Sequence, residues 1–420
     1  MKKTIKLAVV AALALGATSA FATNGDTMIG LGAKTRGMAG IGIGMSHGAE
    51  SALANPALIT TIKKDHEVSF GGTIFMPDVK ATMGQAPEKP SAADMNVIPE
   101  VSIANKVNDN FYWGIGMWGT AGMGTDYRNA STSANDSGNL HMVTNLQLMQ
   151  FGVPLAYTTN GFSIAVTPIL QYGALDINYV GFDRSNVGAG VAQDLTFGYN
   201  LGAAYTMDGL TIGAVYKSKI KMNYDGQLSA ATQPFASMGI FPGAMGDNLE
   251  QPAEIGIGAS YAMGEHTIAV DYKQIKWADA EGYKDFNWDN QNVITVGYEY
   301  NAQNWAFRLG YNYASQPIKE LTSGPAVIPA GSYAQAGGNA INMFNLLGFP
   351  ATVESHYAIG ATYALSSVMS VDAAFTYAAE TTTTMKGIVG VNPSNGDMYT
   401  GDVSTKHSQT GVSVQLNYSF

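Results

Sequence analysis

The sequence predicts an all-β membrane protein: an antiparallel transmembrane β-barrel of about fourteen strands with an N-terminal hatch, or plug, inside its lumen. Three observations point there. Apolar residues alternate with small or polar ones over and over between His66 and Phe420. The links between these stretches are by turns very short and long, as in bacterial outer-membrane barrels. No apolar run beyond the N-terminus approaches the ~18 residues of a membrane-spanning helix.

Composition narrows the class further. Charged residues make up 13% of the 420, glycines number 49, and the net charge is -10. An acidic chain with no basic run beyond its first residues is a poor partner for nucleic acid. The absence of cysteine excludes disulfides, thiol nucleophiles and thiolate metal sites. No glycine-lysine phosphate loop is present, and His47, His66, His141, His266, His356 and His407 are scattered without metal-ligand spacing. The expectation is a non-enzyme with no catalytic residues, no metal and no cofactor.

Taken in order, residues 1–22 read as a secretory signal peptide. Lys2, Lys3 and Lys6 precede the apolar run from Leu7 to Leu15, and Ala20 and Ala22 form a small-residue cleavage site. Residues 23–61 form the expected hatch. Its glycines, from Gly25 to Gly48, suit neither a helix nor a strand, and it ends on Asn55-Pro56-Ala57, where Pro56 fixes its own φ and biases Asn55 away from helix.

Residues 62–420 form the expected barrel. Its strands are predicted at about 66–76, 97–106, 110–120, 141–158, 162–178, 193–207, 209–224, 250–263, 265–277, 290–301, 303–315, 353–365, 367–381 and 405–420. The stretch Leu195, Phe197, Tyr199, Leu201 against Thr196, Gly198, Asn200, Gly202 shows the pattern best. Short turns fall at Asn108-Asp109, Asn160-Gly161, Asp208-Gly209, Gly264-Glu265, Ala302-Gln303 and Ser366-Ser367. Tyr112, Trp113, Trp118, Trp277, Tyr298, Tyr300 and Trp305 near strand ends suit interfacial girdles or lipid-facing wall positions.

The stretches GLGAKTRGMAG (30–40), NDNFYWGIGMWG (108–119), QNVITVGYEY (291–300) and NWAFRLGYNYASQPI (304–318), together with Asn55-Pro56-Ala57, resemble the FadL/TodX family of outer-membrane transporters. That resemblance implies a monomer in the cell outer membrane of a Gram-negative bacterium. It implies passive transport of hydrophobic small molecules, either long-chain fatty acids or aromatic and alkane hydrocarbons. The ligand would be captured in an external apolar groove and released sideways through an opening where a wall strand kinks beside the hatch. Outer-membrane lipid and the barrel-insertion machinery, which would read the terminal Phe420, are the other implied partners. A general diffusion porin and, further off, an outer-membrane lipid hydrolase are the alternatives. Family members often begin with an aromatic residue that enters the ligand pocket, whereas this chain would begin Thr23-Asn24-Gly25-Asp26.

Candidate site residues follow. Asn55, Pro56 and Ala57 would form the hatch exit. Gly114, Gly116, Gly119 and Gly122 would mark the lateral opening, or would let the hatch pack against the wall. Phe235, Met238, Ile240, Phe241, Ile341, Met343, Phe344 and Leu347 lie in two unusually apolar long loops that form either the capture groove or a cap packed on itself. Strand parity places Lys217, Lys219 and Lys221 inward, to bind a substrate carboxylate or to pair with acids such as Glu50. It also faces Glu299 and Arg308 across a hairpin as an inward ion pair.

Overall fold

A computed structural model describes residues 23–133 and 136–420. The expected signal peptide, 1–22, lies outside them. Fourteen strands close into an antiparallel barrel. They are β1 (His66–Met83), β2 (Asn96–Lys106), β3 (Phe111–Asp126), β4 (Val143–Gly152, continued by Leu155–Thr159), β5 (Phe162–Val180), β6 (Ala192–Met207) and β7 (Leu210–Lys217). The second half comprises β8 (Glu254–Met263), β9 (His266–Ile275), β10 (Gln291–Ala302), β11 (Trp305–Ala314), β12 (Ser355–Ala364), β13 (Met369–Val391) and β14 (Met398–Ser419). Each strand pairs with the next, and β14 returns to β1 from Ser419 opposite Glu67 to Val403 opposite Met83. No helix among the described residues is long and apolar enough to cross a membrane; the crossing elements are strands.

The two faces of the wall follow from the period of two. Phe197, Ile212, Ile257, Ile268, Leu309, Ile359 and Val414 all stand exposed on the outside. Exposed aliphatic side chains in a closed belt are costly in water and at home in lipid. Their neighbours in sequence point inward and are polar or small, including Gln171, Asn200, Asp271, Thr295, Asn312, Gln409 and Gln415, all buried. At one end the strands meet in tight turns. Asn160-Gly161 and Asp208-Gly209 hold two consecutive positive φ values, 48° and 80°, then 49° and 83°, which match the twist of a two-residue hairpin.

Several predicted strands are longer in the structure, among them β3, which runs to Asp126. β1 runs to Met83, β13 to Val391, and β14 starts at Met398, because a threonine-rich polar ladder (Thr381–Thr384 against Ser404–His407) carries the pairing beyond the apolar band. The seventh is shorter than the predicted 209–224. After Lys217 the ladder is closed by Ser218, whose N–H donates to Tyr199 O (2.9 Å) and whose Oγ accepts from Tyr199 N (2.9 Å). On the β8 side the ladder stops at Glu254, and Pro252, two residues before it, has no N–H to offer to any continuation. Residues Ile220–Asn223 instead pair with Asn248–Gln251 in a separate two-stranded sheet, so β8 begins at Glu254 rather than at 250.

Residues 23–61 pack against inward-facing wall positions. They contain a short helix (Ala33–Gly37), a turn of helix (Ser51–Ala54) and a 3-10 helix (Pro56–Thr61). The largest apolar cluster runs from the N-terminal segment (Ala49, Leu53, Ile59) to the long-loop end, where helix α1 (Gln227–Ser237) and helix α2 (Gly337–Gly348) pack together over the barrel mouth.

Candidate functional site

The contact between the N-terminal segment and the wall is built from glycines and from polar wall side chains, among them two carboxylates, Asp271 and Glu67. A Cβ on Gly213 of β7 would lie 1.8 Å from Ile43 O, one on Gly310 of β11 2.2 Å from the Met38 carbonyl carbon, and one on Gly360 of β12 2.8 Å from Gly37 Cα. Only glycine allows so close a backbone approach. Asp271 of β9 accepts the N–H groups of Gly42 and Ile43, both at 2.8 Å, and of Gly44 at 3.1 Å. Ser260 Oγ donates to Gly44 O (2.7 Å). On the other side, Gln415 of β14 takes the Ala33 N–H (2.9 Å) and Glu67 of β1 takes that of Ala49 (2.8 Å).

Asn55 donates through Nδ2 to Ile43 O (2.8 Å) and to Ala203 O of β6 (3.1 Å), and its Oδ1 accepts the Ala57 N–H (3.2 Å). Pro56 opens the 3-10 helix, at the position where a missing N–H costs nothing. Ala57 packs with Leu58 against Ala204. These three residues therefore sit at the β6–β7 wall, across from Gly202 and Gly213.

A different sector of the wall is interrupted. β2 and β3 pair from Lys106 opposite Tyr112 to Glu100 opposite Trp118, and no further. There β3 bulges between Gly119 and Ala121, and from Trp118 to Asp126 both of its faces are buried. The vacated edge is met by the N-terminal segment: Thr27 pairs with Ala121, and Gly122 N donates to Asp26 O (3.0 Å). Past the N-terminal end of β2, the preceding loop meets β3 again: Ala92 N donates to Asp126 O (2.8 Å) and Asp126 N donates to Ser91 Oγ (2.9 Å). Gly119 and Gly122 lie in this interruption. Gly114 and Gly116 do not: they face Ala104 and Ser102 in the intact ladder, and the Trp118 indole fills the space above Gly116. Trp118 is anchored by Nε1 donating to Ser102 Oγ (2.8 Å). On the far side β4 is itself broken, where Pro154 offers its carbonyl to Gly114 N (2.9 Å).

Over the mouth, Phe235 of α1 and Phe344 of α2 meet edge to face at 5.1 Å, with Phe241 5.7 Å from Phe235 and Tyr179 5.7 Å from Phe344. Phe235, Ile240, Phe241, Met343, Phe344 and Leu347 are all buried in this one cluster. Ile341 packs at its margin and Met238 is exposed. The structure thus brings both apolar loops together as a closed cap.

The lysines divide. Lys217 points inward, 3.4 Å from Glu254 Oε2, which also takes Lys273 at 3.1 Å. Lys219 and Lys221 do not face inward. The ladder ends at Ser218, so the chain beyond it changes face: Ile220 and Met222 are buried, while Lys219 reaches Glu250 (3.2 Å) and Lys221 reaches Glu281 (2.7 Å) on the half-exposed outer side. None pairs with Glu50, whose carboxylate takes Thr35 N (2.7 Å), Thr35 Oγ1 (2.6 Å) and Gln415 Nε2 (3.1 Å). Arg308 and Glu299 are paired, Nε to Oε2 at 2.7 Å, in direct cross-strand register.

Sequence reasoning missed a link between cap and interruption. Asp26 is fully buried and accepts from Tyr283 Oη of the β9–β10 loop, from Gln251 Nε2 (3.2 Å) and from Thr27 Oγ1 (3.3 Å). Burial pushes its carboxyl up to about 6. A Cβ on Gly25 would strike the Trp277 ring at 2.4 Å. Beside these residues lies a cavity of about 40 Å³, lined among others by Thr27, Met28, Leu31, Thr120, Asn200 and Lys217.

A closed fourteen-strand wall with a lipid-compatible belt, a polar interior and a capped mouth defines an outer-membrane β-barrel transport protein. A family model described as outer membrane protein transport protein (OMPP1/FadL/TodX) matches residues 7–334, and the chain belongs to that family. Among curated relatives, the long-chain fatty acid transport protein of Escherichia coli O6:H1 is 24% identical over 344 residues, 66% of this chain and 76% of that one. The 47 kDa outer membrane protein of Pasteurella multocida is 23% identical, over 90% of this chain and 92% of its own. Among solved structures, a Pseudomonas aeruginosa FadL homologue superposes with a TM-score of 0.69 at 16% identity, covering 94% of this chain and 100% of that one. The P. putida toluene transporter TodX gives 0.65 at 16% identity, covering 93% and 99%.

Proposed function

We propose that this protein carries hydrophobic small molecules, such as long-chain fatty acids or aromatic and alkane hydrocarbons, passively across the outer membrane and releases them sideways into the bilayer. Residues 23–61 act as the hatch that denies a straight aqueous path, and Asn55-Pro56-Ala57 fixes its exit against β6 and β7. The ligand enters between α1 and α2 when the cap parts, exchanging the contacts of Phe235, Phe241 and Phe344 for its own. It leaves through the β2–β3 interruption once Asp26 and Thr27 withdraw from Ala121 and Gly122. A sideways route suits such cargo, because each methylene kept out of water is worth about 0.8 kcal/mol. The observation that carries this reading is the missing β2–β3 pairing beyond Glu100 and Trp118, occupied by a segment that is not part of the wall. The similarity to long-chain fatty acid transport proteins and to the toluene transporter TodX supports the cargo class.

A disulfide across the interruption tests it. A Cβ on Gly119 would stand 3.9 Å from Ile98 Cβ, within disulfide range, and the chain has no other cysteine. Ile98→Cys with Gly119→Cys, oxidised in lipid vesicles, should abolish uptake of radiolabelled oleate while leaving its binding in detergent intact, and reduction should restore uptake. Undiminished uptake through the closed disulfide would remove the lateral route.

A further inference from the structure

We propose that the outward end of the barrel carries a binding site for a sugar bearing one acidic group. The site is a cleft of about 400 Å³, the size of a small-molecule pocket, at the long-loop end, which faces outward in barrels with short periplasmic turns. One wall is the part of β13 and β14 that stands above the apolar belt, with the start of the β1–β2 loop beside it. The β3–β4 and β5–β6 loops form the other wall. Phe235, Phe241 and Phe344 of the cap do not line it, so the cleft is separate from the uptake route proposed above.

Its lining has two parts. Met83, Leu140, Phe182 and Val389 form an apolar floor that belongs to, or packs against, the core beneath the cap. Around that floor stand Gln85, Ser137, Arg184, Asn392 and Tyr399, each from a different loop or strand end. A sugar ring, with a C–H face and a rim of hydroxyls, meets both parts. A hydrocarbon seated there would take the polar side chains out of water without giving them partners. A simple inorganic anion would leave the floor uncovered.

The charge of the lining adds the acidic group. Asp136 lines the cleft but is already satisfied: Oδ2 lies 2.7 Å from Lys89 Nζ, with both side chains buried, and Oδ1 accepts the Gly138 N–H (2.8 Å). Arg184 pairs with no carboxylate among the described residues. The adjacent Asp183 is turned to Ser185, whose N–H (2.9 Å) and hydroxyl (2.6 Å) it accepts. The Tyr399 oxygen accepts from Asn392 Nδ2 (3.3 Å), which leaves its O–H to donate. The cleft thus keeps one positive charge and a surplus of donors, and a carboxylate or phosphate on the sugar supplies the acceptors they lack.

The backbone on both loops of the second wall is held in a costly conformation. Gly138, Asn139, Leu140 and His141 all have positive φ, at 60°, 55°, 59° and 47°, a left-handed run that is unfavourable at each non-glycine residue. Asp136 and the Asn139 Nδ2 bond to Ala81 O (3.1 Å) hold it in place, and it sets Ser137 and Leu140 against the cleft. Arg184 has a φ of 68°, in a turn closed by Gly181 N donating to Ser185 O (2.8 Å). Strain of this kind collects where ligands are clamped.

The test is equilibrium binding of glucuronate and of glucose to the full chain in neutral detergent. Wild type should prefer glucuronate. Arg184→Gln, at an exposed position, should lower that preference about ten-fold, the size of one charge-assisted contact, and Tyr399→Ala should weaken both sugars. Lys386→Gln, outside the cleft on the same extension of β13, should change neither. A wild type without the preference, an unchanged ratio in Arg184→Gln, or an equal loss in Lys386→Gln overturns the site, and none of these results bears on uptake. Lipopolysaccharide truncated to its acidic inner sugars, run beside lipid A alone, distinguishes the source. Tighter binding of the former assigns the site to the glycolipid of the surrounding leaflet, and glucuronate binding with no difference between the two lipids assigns it to a free sugar.

Discussion

The wall on the β6–β12 side and the wall around β2–β4 use the same residue type to opposite ends. On the first side, Gly213, Gly310 and Gly360 lie in uninterrupted ladders and admit the backbone of residues 37–44 to within van der Waals contact. On the second, Gly119 and Gly122 lie where the ladder fails, at a bulge, with Pro154 breaking the neighbouring strand. Glycine density alone therefore does not distinguish a docking face from a weak seam. What distinguishes them is whether the strand on the far side still pairs.

The comparison can be broken most sharply by filling the docking face. Gly213→Val places a side chain where Ile43 O now sits, so the N-terminal segment must lift from β7, and Gly310→Val does the same at Met38. Both should lower the thermal midpoint by several degrees and render residues 37–44 cleavable by protease. Gly114→Ala, in the intact part of β3, meets the backbone Ile103 O at 2.3 Å and strains the β2–β3 ladder instead, so it should lower the thermal midpoint while leaving the N-terminal segment protected.

Removing the carboxylate anchor comes next. Asp271→Ala strands the N–H groups of Gly42, Ile43 and Gly44, at a cost of about 3 kcal/mol to the docking of that segment. Hydrogen exchange at those three amides should accelerate while exchange in the β12–β14 ladder does not change. Equal acceleration in both would mean that Asp271 supports the wall, not the segment.

A smaller effect sharpens the second side. Asp26 holds its proton up to about pH 6 when buried, against an ordinary aspartate value of 3.8. Its folded value is raised, so its contribution favours the docked state fully below pH 3.8 and is lost as pH rises through 6, by at most about 3 kcal/mol. Protection of the Thr27 and Gly122 amides, taken relative to the unfolded-chain exchange rate at each pH, should therefore fall between pH 4 and 7. Asp26→Asn, which cannot ionise, should remove that dependence; a pH profile that survives it would assign the change to another group.

Much of the wall was legible because lipid on one face and a polar interior on the other impose the period of two directly on the chain, as in Leu195–Leu201. The reach of β7 was not. Lys217, Lys219 and Lys221 keep alternating after the ladder has ended, since nothing local marks that pairing with β8 stops at Glu254. The two apolar loops were visible as composition, but their meeting at Phe235 and Phe344 is a contact across more than one hundred residues and leaves no local trace. Thr23–Asp26 carries no aromatic of its own, and the sequence offered no substitute from elsewhere. In the structure the aromatics come from the other side: Trp277 and Tyr283 reach down to Gly25 and Asp26.

The division between a docking face and a weak seam stands or falls on what residues 24–58 block. Deleting them and recording ion conductance of the purified barrel in planar bilayers should convert a closed protein into an open pore with a large, steady conductance. A deleted barrel that remains as closed as the intact one would contradict the hatch, and with it the need for a sideways exit.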